Sequence, residues 1–207
     1  MKYLRLKILD EGNLQAVAPQ SMTQEQIMKY VKHKEKWIVK NLTKIAKARE
    51  AFVIQDNQIL LHGEAYTIMH REWQGKQFTL DHKTKHVRRW FDLKDEKLKL
   101  HRYKTYAKNY LTHRLASISD QHGLQYNKCY IRDQKTKRWT CSSKKNIGLN
   151  RKLIKAPIRI MDYVINHELA HLNHMNHSKD FRNHCTALFP KTKEARVWLR
   201  QYGKALQ

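Results

Sequence analysis

Proline is rare in this chain, three in 207 residues, and glycine is little commoner at six. That excludes a collagen-like or linker-rich polymer. Cysteine is sparse too. Cys129, Cys141 and Cys185 are an odd number with no repeated C-x-x-C spacing. They argue against a disulfide framework and for reduced thiols in a cytoplasmic protein. No run approaches 18 apolar residues and the mean hydropathy is −0.82, so no membrane span is expected. The opening stretch MKYLRLKILDEGN lacks the apolar core and small-residue cleavage site of a secretion signal. Acidic side chains are scarce: 18 Asp and Glu stand against 42 Lys and Arg, a formal net charge of +24.

What is present points to a folded protein. Apolar residues make up 41%, with five Trp, ten Tyr and five Phe, too many for a disordered polycation. The length suits one large domain or two small ones and can bury a core without cross-links. The charge is spread rather than held in a tail, since residues 126–207 alone carry 18 basic and 5 acidic side chains. Such a field favours polyanionic partners: nucleic acid, nucleotides or the ribosome surface. The competing reading is a solvated surface that only raises solubility.

Patterning divides the chain. Leu4, Leu6 and Ile8 alternate with Arg5 and Lys7, and a polar break at Asp10-Glu11-Gly12-Asn13 predicts a hairpin into Leu14–Ala18. Thr23 and Gln26 form a capping box, and the apolar spacing after it predicts one amphipathic helix over residues 24–48, lysine-rich on its other face. Short strands are expected at Ile59–His62, Ala65–Arg71, Phe78–Leu80 and Val87–Phe91. Helical spacing returns over residues 97–121, with Gly123 as its C-terminal cap. Strands near Cys129–Arg132 and Asn146–Asn150 follow. A helix then starts at Pro157 and runs to about His174, and Ser178 and Thr192 cap two last helices.

The chemistry lies in HELAHLNHMNH, residues 167–177. On a helix His167 and His171, four apart, project from one face and can share one Zn²⁺ at ~2.0–2.1 Å. Glu168 is placed to take a proton from a zinc-bound water whose pKa the metal lowers toward ~7. The third ligand is one of His174, His177 and His184. His174 lies seven residues from His167, ~10 Å along a straight helix, too far to share the ion. A turn at Asn176, left-handed at the end of the helix, would bring His177 back over the metal, which favours His177. His174 and His184 are then supporting or surface groups.

Two segments carry a resemblance. One is Ile147, Leu149 and Asn150; the other is Ala156, Pro157, Asp162, Tyr163, Val164 and His167 through Ser178. Weaker echoes are Lys36-Trp37-Ile38 and His62, Gly63, Tyr66 and Ile68. Together they resemble the YgjP-like metallopeptidase family, related to the SprT, WLM and minigluzincin-type zinc peptidases. The resemblance implies zinc on His167, His171 and His177, with Glu168 as general base. It also implies an edge strand near residues 146–150 to which an extended peptide could add. One stretch departs from the family's K-x-R-W-G-S-C-S: here it is Lys135-Thr136-Lys137-Arg138-Trp139-Thr140-Cys141-Ser142.

The expected architecture is α+β. Residues 1–95 form a small strand-rich region with one long basic helix. Residues 96–207 form a compact zincin-like metallopeptidase domain, its HExxH helix packed under a small sheet. The expected function is a soluble zinc-dependent peptidase acting on a peptide or protein. The alternatives are a zinc-dependent nucleoside triphosphate pyrophosphohydrolase and a nucleic-acid-associated zinc-binding module. Between Arg132 and Arg159, ten basic residues face one acid, Asp133, leading into the zinc helix. That run is where a nucleic-acid or nucleotide surface is expected, with Trp139 placed to stack on a base.

Overall fold

The computed structural model describes residues 3–9, 13–70, 79–89, 95–133 and 139–206. Parts of the expected turns at Asp10–Asn13 and around Gly75, Phe78 at the head of an expected strand, Phe91 and the Lys135–Arg138 stretch lie outside the described residues. Six α-helices and three small sheets make an α+β fold among the described residues.

The first sheet is the antiparallel hairpin β1 (Arg5–Ile8) and β2 (Leu14–Val17). Helix α1 (Gln24–His33) opens on the Thr23–Gln26 capping box. The single helix expected over 24–48 is in fact two. The backbone breaks at Lys34 (φ −94°, ψ 9°) and resumes as α2 (Glu35–Glu50). The amide of Lys34 is shared between the carbonyls of Tyr30 and Val31, which tightens the last turn of α1.

The second sheet has the order β3 (Gln58–Leu61), β4 (Glu64–His70), β6 (His86–Arg89), β5 (Thr79–Asp81). The β3–β4 loop is His62-Gly63, with φ of 54° and 84°. Two consecutive positive φ values give the turn whose twist matches paired strands. The loop amides donate to Ile154 and Lys155 (2.8 and 2.9 Å), and a Cβ on Gly63 would lie 2.7 Å from the Pro157 ring. The hairpin tip is thus pressed onto the start of the HELAH helix.

Helix α3 (Glu96–Gln121) ends as expected at Gly123, which has φ +62°. Leu124 N–H donates to Ser119 C=O and Gly123 N–H to Asp120 C=O, the paired bonds of a Schellman stop. The third sheet has the order β7 (Cys129–Arg132), β9 (Ile147–Asn150), β8 (Trp139–Cys141). Residues 146–150, expected as an edge strand, therefore supply the central strand. The edges are β7, parallel to β9, and β8, antiparallel to it and only three residues long.

A 3-10 turn (Arg151–Lys155) leads into α4 (Ile158–Ala170), capped by Pro157. The helix stops at Ala170, short of His174, and His171 is its C-cap residue. α5 (Lys179–Leu188) is capped by Ser178 as expected. α6 (Thr192–Tyr202) is capped by Lys191, and Thr192 is its first residue, hydrogen-bonded to the Phe189 carbonyl.

The core explains the position of α4. Ile160, Met161, Val164 and Ile165 are buried against Leu111 and Leu115 of α3, Ile147 and Leu149 of β9, and Leu199 of α6. Leu61, Tyr66 and Val87 of the second sheet join the same cluster. On the surface of α4, Arg114 of α3 forks onto Asp162 (2.7 and 2.8 Å), fixing the two helices against each other. No helix among the described residues is long and apolar enough to cross a membrane.

Candidate metal centre

The last turn of α4 carries His167 at its side and His171 at its end, with ring centroids 5.0 Å apart. After His171 the chain closes a tight turn, with the amides of Asn173 and His174 both donating to Ala170 C=O. Asn176 does not take the expected left-handed backbone; its side chain accepts from Ser178 N–H instead, shaping the entry to α5. The turn still returns His177 to the helix. Its ring lies 5.2 Å from His167 and 4.7 Å from His171, and the two Nε2 atoms of His177 and His167 are 3.2 Å apart. One ligand nitrogen from each of the three histidines falls within 4.8 Å of the others, so the set could hold a metal ion.

The surroundings orient these rings. His171 Nδ1 lies 2.9 Å from the His174 carbonyl oxygen, which can only accept. The proton is therefore on Nδ1, and Nε2 is left free to bind a cation. Tyr163, one turn before His167, brings its hydroxyl to 3.5 Å from His167 Nδ1. Phe181, from the first turn of α5, lies against all three imidazoles, with centroids 4.3 to 4.9 Å away. Burial, with the neighbouring imidazoles and Arg196 adding to it, pushes His167 down to about 4; burial lowers His171 as well. Both are neutral near pH 7, the form that can ligate.

Glu168 points away from solvent. It is 1% exposed, its Oε2 has no hydrogen-bond partner, and burial pushes its carboxyl up to about 8. Cys141 of β8 lies close enough to feel that carboxylate, and burial above all pushes its thiol up to about 11. The edge strand thus passes beside Glu168. His174 and His184 stand apart from the triad and face each other, ring centroids 5.4 Å apart.

His167 opens on two cavities. One, of about 540 Å³, is also lined by His177, Arg182, Lys193 and Arg196. The other, of about 420 Å³, is lined by Trp139, Arg196, Arg200 and Lys204. Among the described residues the cations lining these cavities come from α5, from α6 and from Lys204 just past it; Arg151 of the 132–159 run is paired with Asp133, and Lys135, Lys137 and Arg138 of that run lie outside the described residues. Phe181, Arg196 and Arg200 were not evident as site residues, because only the packing of α5 and α6 onto α4 brings them there.

The sequence matches the family model of the YgjP-like metallopeptidase domain over residues 2–202 of 207. The chain belongs to that family. Comparisons with curated proteins and with solved structures return no match. The YgjP-like assignment implies a metal-dependent hydrolase, and the histidine triad is a group that could hold its metal. The buried carboxylate oxygen without a donor fits that demand, because a cation or its ligand would supply the missing partner.

Proposed function

We propose that this chain is a zinc-dependent peptidase in which His167, His171 and His177 hold the metal and Glu168 is the general base. The observation that carries the reading is the convergence of three imidazoles, with the partnerless Glu168 oxygen on the residue next to His167 in sequence. Leaving a carboxylate buried without donors is costly, and a bound cation with its ligand removes that cost. Three imidazole nitrogens with an open fourth position are the donor set of catalytic zinc. The 3.2 Å between the His167 and His177 nitrogens is close to the ~3.3 Å edge of a tetrahedron with ~2.0–2.1 Å bonds.

Zinc held there would supply the positive charge that acidifies a water and polarises a peptide carbonyl. The chain's own residues do the rest. Glu168 takes the proton of the attacking water and returns it to the leaving amine. His174, through its backbone carbonyl, and Phe181, through its ring, hold the imidazoles in orientation. The β8 edge, beside α4, is where an extended peptide could add as a strand, as in a zincin-like arrangement. The three free thiols accord with a cytoplasmic setting.

The test is Glu168→Gln in the zinc-loaded protein, assayed on casein and a peptide library. Zinc content should stay, since Glu168 is not a ligand, and turnover should fall by about 10²–10⁴-fold. Unchanged turnover rejects the mechanism. The cationic cavity walls favour one second reading, hydrolysis of a nucleoside triphosphate at the same site. Turnover of triphosphates with none on peptides would put that reading first.

A further inference from the structure

Lys193, Arg196, Arg200 and Lys204 follow one another at steps of three and four residues along α6 and just past its end. That spacing lines them up on one face. The cavities follow the same line. Lys193 and Arg196 border the cleft below His167 and His177; Arg196, Arg200 and Lys204 border the cavity on the other side of His167. Arg200 then reaches a third cavity, of about 370 Å³, shared with Lys44 and Lys47 of α2. Among the described residues no carboxylate lines any of the three. None of the four α6 cations has an ion-pair partner among the described residues. Elsewhere Arg114, Arg151 and Lys85 each have one.

Like charges at these spacings repel and weaken a helix. A row that keeps them, lines three neighbouring cavities with them and passes the metal centre is built for an anionic ligand longer than one residue. We infer that the substrate is an acidic polypeptide segment, whose Asp and Glu side chains lie along the α6 row while its backbone runs beside the β8 edge. Trp139 places β8 at the same cavity as Arg196, Arg200 and Lys204, and alternate side chains of an added strand would face those cations. Single-stranded nucleic acid would call for aromatic platforms between the cations. On α6 the aromatic rings, Trp198 and Tyr202, are instead packed together with Phe52 (5.2 to 6.1 Å), and Trp139 of β8 is a single half-buried ring beside the row rather than a succession of platforms along it. The inference rests on the peptidase reading, since it takes the ligand to be a polypeptide.

The experiment uses zinc-loaded protein and three labelled probes followed by fluorescence anisotropy: an oligoglutamate, a Ser/Gly peptide of equal length, and a single-stranded oligonucleotide of equal charge. Exposed ion pairs each change affinity by up to about five-fold. The oligoglutamate should therefore bind at least ~10-fold tighter than the neutral peptide, with the margin shrinking between about 0.05 and about 0.5 M salt. The combined variant Arg196→Gln, Arg200→Gln, Lys204→Gln should lose most of that margin with zinc content and Tm unchanged. Equal binding of acidic and neutral peptides overturns the inference, as does an unchanged margin in the variant. Tighter binding of the oligonucleotide through the same residues overturns it too. A cleavage arm separates the two proposals. Neutral peptides cut as fast as acidic ones sink the acidic preference and leave the peptidase standing. A persisting oligoglutamate margin with no peptide cut sinks the peptidase and leaves an acidic-polypeptide binding surface.

Discussion

The Phe181 ring lies against the His171 imidazole, with centroids 4.3 Å apart and planes 26° from parallel. The same ring meets His167 and His177 edge-on, so one side chain, 2% exposed, closes the dry side of the whole triad. Deleting a buried Phe ring typically costs ~3–5 kcal/mol, so Phe181→Ala is expected to unfold readily. Phe181→Leu keeps much of the volume but not the flat contact. It should fold and bind zinc about 10-fold more weakly, as losses around a metal's ligands generally do. Competition with a chromophoric chelator measures this. Parent-like affinity in the Leu variant would show that the imidazoles hold their orientation without the ring.

His174 acts on the triad through its carbonyl oxygen, and His177 through its ring. Alanine at the two positions should therefore have opposite outcomes. His174→Ala keeps the carbonyl and should retain about one zinc per chain, whereas His177→Ala, like His167→Ala and His171→Ala, should lose most of it. Metal analysis after gel filtration decides. An empty site in His174→Ala with a full one in His177→Ala would move the third ligand to residue 174.

The HELAH spacing was legible because four residues make about one helical turn whatever the rest of the chain does. Helix α3 and its stop at Gly123 were legible because both signals are local. The break at Lys34 was not, since it falls in a run with no Gly or Pro, and the polar gap Lys32–Lys36 in the apolar period reads equally as a solvated turn of one helix. Strand β8 was missed because three residues cannot display an alternation. That omission misplaced the sheet edge, because β9 looks like an edge until its second neighbour is known. Phe181 and the α6 cations belong to tertiary structure. Among 42 basic residues no pattern in the sequence singles out Arg196 and Arg200; only their position over α4 does.

Gly63 and Gly123 both have positive φ, +84° and +62°, but differ in surroundings. A Cβ at Gly63 would come within 2.7 Å of the Pro157 Cγ, and one at Gly123 would meet nothing within 4 Å. Gly123→Ala should cost only the left-handed backbone term, about 1–2 kcal/mol. Gly63→Ala should cost clearly more, because the stiff Pro157 ring opening α4 must also shift. Urea midpoints of the two variants test the difference. Equal losses would mean that the hairpin tip is not pressed onto α4.

His62, beside Gly63 in the same turn, makes stability depend on pH. It is 7% exposed, and its ring lies 4.4 Å from that of Tyr110 and 3.3 Å, through Nε2, from the Tyr106 hydroxyl. His82 stacks at 5.8 Å, and the charges of Glu64 and Lys85 are also felt. Burial, with His82 adding to it and Glu64 opposing, pushes His62 down from 6.5 to about 4. The unfolded chain therefore takes up this proton first. Its contribution is complete above about pH 6.5 and is lost as pH falls toward about 4, by at most ~3 kcal/mol. Asn tolerates the left-handed backbone at this position and does not titrate. His62→Asn should lower stability at pH 7 through lost packing, yet flatten the decline between about pH 6.5 and about pH 4. Subtracting the two curves of unfolding free energy removes the shared titration of the metal-centre histidines. If the curves run parallel through that window, His62 is not held neutral by the fold.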